Sequence, residues 1–129
     1  MKIQKIALHH LSRTLTLFIF STALLACRPV SVGSWQTIIE IGNFNKELTW
    51  VISSEPALTI LLDSETRIED IELAGSRINW STDGSKLPSL GISRRISFNG
   101  TVNGNELAGT LFTQQGNFTV TGVRLNEQN

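Results

Sequence analysis

The stretch ISRRISFNGTVNGNELAGTLFTQQGNFTVTGVRL, residues 92–125, reads as three β-rich runs set apart by two turns. Ile92 to Val102, Glu106 to Gln114 and Phe118 to Leu125 hold the β-branched and aromatic residues. Asn103-Gly104-Asn105 and Gln115-Gly116-Asn117 supply residues that tolerate positive φ, the requirement of a tight hairpin. Phe118 and Val120 alternate with Thr119 and Thr121, so the last run presents one apolar and one hydroxyl face.

The same pattern extends back to Gly33. Trp35 to Ile41, Leu48 to Ser53, Leu58 to Asp63, Arg67 to Leu73 and Arg77 to Thr82 are further runs, divided by Gly42-Asn43, Ser54-Glu55-Pro56 and Ala74-Gly75-Ser76. No window of eleven or more residues keeps a helical period. Eight strands joined by short turns pair with their sequence neighbours, and their twist curls the sheet until first meets last, which removes exposed edges. The expectation is all-β: an eight-stranded antiparallel up-and-down barrel, or a flattened one, over residues 33–125 with a tail at 126–129. Trp35, Ile39, Trp50, Ile52, Ile60, Leu62, Ile71, Leu73, Trp80, Ile96, Phe98, Leu111, Phe118 and Val120 are the expected filling. Asp83 to Gly91, the longest link, is expected as a mobile loop at one end.

Ahead of this body, Lys2, Lys5 and Arg13 precede an apolar run, Thr14 to Ala26, with no acid among them. The run's 13 residues are too short for a permanent helical span, and the basic head is that of an export signal. It ends in Leu24-Leu25-Ala26-Cys27, which resembles the lipobox of bacterial lipoproteins, with Leu25 bulkier than that position's commonest occupant. The resemblance implies a cleavable signal helix over residues 1–26, a diacylglyceryl thioether on Cys27 and a short tether through residue 32. One acyl chain holds a protein marginally and two or three hold it stably, so the membrane is the first expected partner. Arg28 stands where the family's inner-membrane retention signal would be Asp, which implies the outer membrane, facing the periplasm.

Cleavage before Cys27 takes 26 of the 129 residues and leaves 103, enough for one domain. Both histidines, His9 and His10, leave with the signal, and Cys27 is the chain's one cysteine. Histidine-dependent triads and imidazole or thiolate metal sites are thereby excluded; an acid-pair hydrolase would need two carboxylates facing each other across a cleft, and no pair in the sequence announces that geometry, so no catalytic residue, cofactor or metal is expected. Eight basic residues against eleven acids give the mature part a charge of −3, with no electrostatic footprint for nucleic acid.

Gly33-Ser34-Trp35 at the first run and Arg124 at the last are similar to the lipocalin signature, an early Gly-x-Trp with a late Arg. In that family the guanidinium lies over the indole and shuts one end of the barrel, which makes Trp35 and Arg124 the expected closing pair. Phe98 to Val102, Glu106 to Leu111 and Phe118 to Arg124, after Ile71-Glu72-Leu73 and Arg77 to Trp80, also resemble the small all-β module that precedes α/β-hydrolase domains in some secreted bacterial hydrolases. No hydrolase domain follows here, so that likeness implies fold alone.

The acidic stretch Asp63, Glu65, Glu69, Asp70 and Glu72 reads as a solvated strand edge paired to Arg77 or Arg94. The functional expectation is a non-catalytic, lipid-anchored envelope interaction or maintenance module with a protein partner. Its rival is a lipocalin-like carrier of a small apolar ligand lined by Trp50, Trp80, Phe98 and Phe118.

Overall fold

The computed structural model describes residues 29–126, so the signal, Cys27 and residues 127–129 lie outside the described residues. Among the described residues nine strands form one antiparallel sheet: β1 (Gly33–Ile41), β2 (Phe44–Ser53), β3 (Ala57–Leu61), β4 (Glu65–Ile68), β5 (Ile71–Ala74), β6 (Arg77–Asp83), β7 (Arg95–Asn103), β8 (Glu106–Thr113) and β9 (Gly116–Arg124). The order across the sheet is β4-β3-β2-β1-β9-β8-β7-β6-β5. First and last strands pair, with Trp35 opposite Arg124 and Ile39 opposite Val120.

The extra strand comes from a break in the run expected as Arg67 to Leu73. From β1, β4 is reached by three antiparallel steps and β5 by five in the other direction, so the two point the same way. Joined through Glu69 and Asp70, they are halves of one bent stave, the first bonded to β3 and the second to β6. The barrel is therefore nearly closed, with eight staves.

The bend follows from side-chain parity. Ile68 and Ile71 are three residues apart and would face opposite sides of a straight strand, yet both are buried. Turning the chain at exposed Glu69 and Asp70 lets both isoleucines enter the core. At the break the Ile71 N–H donates to the Glu69 carbonyl at 3.0 Å and the Ser81 N–H to the Asp70 carbonyl at 3.0 Å.

Inside, β2 lies across the barrel from β6 and β7, and their aromatic side chains meet in the middle. Trp50 stands edge-on to Trp80 at 5.5 Å and to Phe98 at 5.0 Å, while Trp80 and Phe98 stack at 5.8 Å. Gly100 and Gly109 face each other beneath Phe98: an added Cβ would lie 2.4 Å from that ring at Gly100 and 2.6 Å at Gly109. Gly100 and Gly109, each followed by a threonine, thus leave room for an aromatic ring. Leu48, Leu58, Ile78, Val102 and Leu107 join the expected filling, whereas Leu62, Leu73 and Phe118 are half-buried at its margin. Each fully buried aliphatic or Phe side chain contributes about 1.5 to 3 kcal/mol, so these layers dominate stability.

The long link is folded rather than a loose loop. It makes two 3-10 turns, Gly84–Lys86 and Pro88–Leu90, and sends Leu87, Leu90 and Ile92 into the core as a plug. The spacing of Leu87 and Leu90 about Pro88 puts both on one side of a three-residue turn. Asp83 caps the first turn by accepting from the Ser85 N–H at 3.0 Å. That bond, then the Ser85 hydroxyl and the charges of Arg95 and Lys86, hold the Asp83 carboxyl below its ordinary 3.8.

Candidate functional site

The end opposite the plug is where the chain comes into the barrel, and there three successive carbonyls are gripped by two side chains. The Trp35 indole N–H donates to the Ser31 carbonyl at 2.9 Å. The Arg124 guanidinium reaches around it, donating to the Val32 carbonyl at 2.8 Å and the Val30 carbonyl at 2.6 Å. The same guanidinium lies 4.3 Å from the centre of the Trp35 ring, a cation on an aromatic face. A backbone bond from Val32 to Pro29, 3.2 Å, closes residues 29–32 into a turn, and Ser31 is fully buried beneath it.

Sequence position explains the grip. Trp35 and Arg124 are direct partners across β1 and β9, so the fork of Arg124 emerges beside the indole. Gly33 has a φ of 138°, and a Cβ there would stand 2.7 Å from Arg124 Nη1. Glycine is required at that position both for its backbone and for the approach of the guanidinium. The Gly-x-Trp and late Arg quoted from the sequence are therefore one local structure. The capture of residues 30–32 was not legible, because carbonyl acceptors leave no mark in a sequence.

The four residues expected to line an apolar ligand are placed as follows. Trp50, Trp80 and Phe98 are packed on one another, and Phe118 lies at the edge of the same layer, opposite Leu111. The indole N–H groups of Trp50 and Trp80 are buried without a partner among the described residues. Two hollows open to solvent among the described residues: one of about 380 Å³ is lined by Trp80 and Phe98 together with Glu72, Asn79, Asn99 and Phe112, and one of about 360 Å³ by Ile38, Ala108, Thr121 and Val123.

No family model matches the chain. Neither the curated proteins nor the solved structures contain a match to it.

The acidic stretch is dispersed, and its partners differ from those expected. Asp70 pairs with Arg95 at 2.8 Å and accepts from Ser81 at 2.8 Å, while Glu69 pairs with Arg67 at 3.2 Å. Asp63 accepts from Ser89 of the plug. Arg95 takes the place expected for Arg77 or Arg94 because Arg95 faces Asp83 across β6, one position from Thr82 and two from Ser81, beside the bend that carries Asp70. All four paired side chains are exposed, so each pair is worth at most about 1 kcal/mol. Cys27, the expected lipidation site, lies outside the described residues.

Proposed function

We propose that this chain is a bacterial lipoprotein, acylated at Cys27 and held on the outer membrane facing the periplasm, whose barrel serves as a non-catalytic interaction or maintenance module of the envelope. The observation that carries this reading is the run Leu24-Leu25-Ala26-Cys27, which sets the chain's one cysteine at the end of a basic-headed, 13-residue apolar segment. A free thiol in an exported protein invites intermolecular pairing, and acylation removes it.

The body supports a module over a carrier. An apolar ligand along Trp50, Trp80, Phe98 and Phe118 would need the contacts of 5.0 to 5.8 Å among the first three rings to open. Leu61 and Phe112 are instead left exposed on the outer wall, where a partner surface would use them. The absence of histidine from the mature sequence removes histidine-dependent triads, and an acid-pair hydrolase would need two carboxylates facing each other across a cleft.

Growth with labelled fatty acid tests the anchor. The natural chain is expected to take up label and to lose residues 1–26, and Cys27→Ser to do neither. A serine variant processed and labelled normally refutes the assignment. Mass spectrometry of the protein purified from its own membrane tests the module reading, because repeated recovery of one small apolar molecule in stoichiometric amount would make the barrel a carrier.

A further inference from the structure

We propose that the acylated protein does not hang from a flexible tether but stands on the bilayer by the rim around Trp35 and Arg124, with Val30, Val51, Val123 and Leu125 in the headgroup layer. The inference rests on acylation of Cys27 and adds the docking face and orientation that follow from it.

The first support is the length of chain left free. Residues 29–32 are folded into a turn whose carbonyls at 30, 31 and 32 are held by Arg124 and Trp35. Only Arg28 separates Cys27 from Pro29, and two residues reach about 7 Å at full extension. A lipid on Cys27 therefore brings this end of the barrel against the surface that holds it.

The second support is what that end exposes. Val51 pairs with Ser34 on one side, and the Leu125 N–H bonds to the Ser34 carbonyl at 2.9 Å on the other. Val123 lies one step along, opposite Gln36. Val30 is 53% exposed, Val51 37%, Val123 56% and Leu125 39%, and the intervening Ser34, Gln36 and Thr49 carry no charge. These are apolar groups beside the anchor, placed to enter the boundary between headgroups and acyl chains. At this end the exposed carboxylates Glu55 and Glu106 offset the cations Arg28, next to the anchor, and Arg77, and the Arg124 guanidinium is turned onto the carbonyls it holds, so the rim has no net pull on anionic headgroups. The occupant that fits is a zwitterionic bilayer, held by apolar contact.

The test uses the acylated protein in phosphatidylcholine nanodiscs. Because acylation occupies Cys27, a nitroxide can be placed by single substitutions: Val51→Cys, Val123→Cys and Leu125→Cys at the rim, and Phe44→Cys at the opposite end. Collision with oxygen is compared with collision with a water-soluble nickel chelate. The three rim labels are expected to lose nickel collisions and gain oxygen relative to the label at 44. With Val123→Asp and Leu125→Asp together, the label at 51 is expected to regain nickel access.

Rim labels as open to nickel as the label at 44, on protein whose mass includes the acyl groups, overturn the docking and leave the anchor standing. A mass without acyl groups overturns both. Protection that needs two copies per disc assigns the rim to a second copy and overturns the bilayer as its occupant.

Discussion

Replacing Arg124 separates the roles of its charge and its shape. The guanidinium makes two short bonds, 2.8 Å to the Val32 carbonyl and 2.6 Å to the Val30 carbonyl, and lies 4.3 Å from the centre of Trp35. A hydrogen bond to a charged donor contributes about 1.5 to 3 kcal/mol, and the lower value applies here because the Val30 carbonyl is open to water. The cation on the indole contributes about 1 kcal/mol at a half-buried site. After truncation water takes back part of the two carbonyls, so Arg124→Ala is expected to cost about 2 to 3 kcal/mol. In a domain of this size that lowers Tm by roughly 10 °C or more. Arg124→Lys keeps the charge and loses the fork, and one ammonium cannot span carbonyls two residues apart around an indole while lying flat on its face. It is expected to recover less than half of the loss. Urea unfolding followed by tryptophan fluorescence reads this directly, since Trp35, Trp50 and Trp80 are all buried. The Lys variant matching the natural chain, or the Ala variant losing less than about 0.5 kcal/mol, would refute the bidentate grip.

Gly109→Ala would set a Cβ 2.5 Å from the Asn99 carbonyl and 2.6 Å from the Phe98 ring, so a cost of about 1 to 3 kcal/mol in urea unfolding is expected, and a neutral result would mean that Phe98 moves freely. Leu87→Ala should cost about 2 to 5 kcal/mol if the plug is part of the core and near nothing if it is a surface loop. The Asp83 carboxyl titrates below its ordinary 3.8, so its support of the plug is complete above that value and is lost as pH falls through the lower, folded value. Asp83→Asn should therefore flatten the acid limb of a stability profile measured from about pH 5 down to about 2, while Arg95→Ala should move it less, because the Ser85 backbone bond is the larger cause.

The strand pattern was legible because turn residues stand between nearly all the runs and because inward positions such as Trp50 and Ile52 alternate with exposed ones. The bent stave was visible only as an odd spacing, Ile68 to Ile71, which acquires meaning once both are known to be buried. The plug is hidden because its Pro and Gly signal a loop, while Leu87 and Leu90 bury themselves through tertiary packing that local composition does not encode. At the closing end the sequence pointed to Trp35 and Arg124, and it was silent on the backbone they hold. The pairing of Asp70 went to Arg95 because the bend, unseen in the sequence, sets the position of that carboxylate.

The contact between β1 and β9 also sets a schedule. Ile39 meets Val120 and Trp35 meets Arg124 only after most of the body has been made, and contacts of such long range are slow to form. Until β9 arrives, β1 has a partner on one side only and the carbonyls of Val30 and Val32 lack Arg124. Every step that needs residues 30–32 loose has a window that shuts when the final strand zips home.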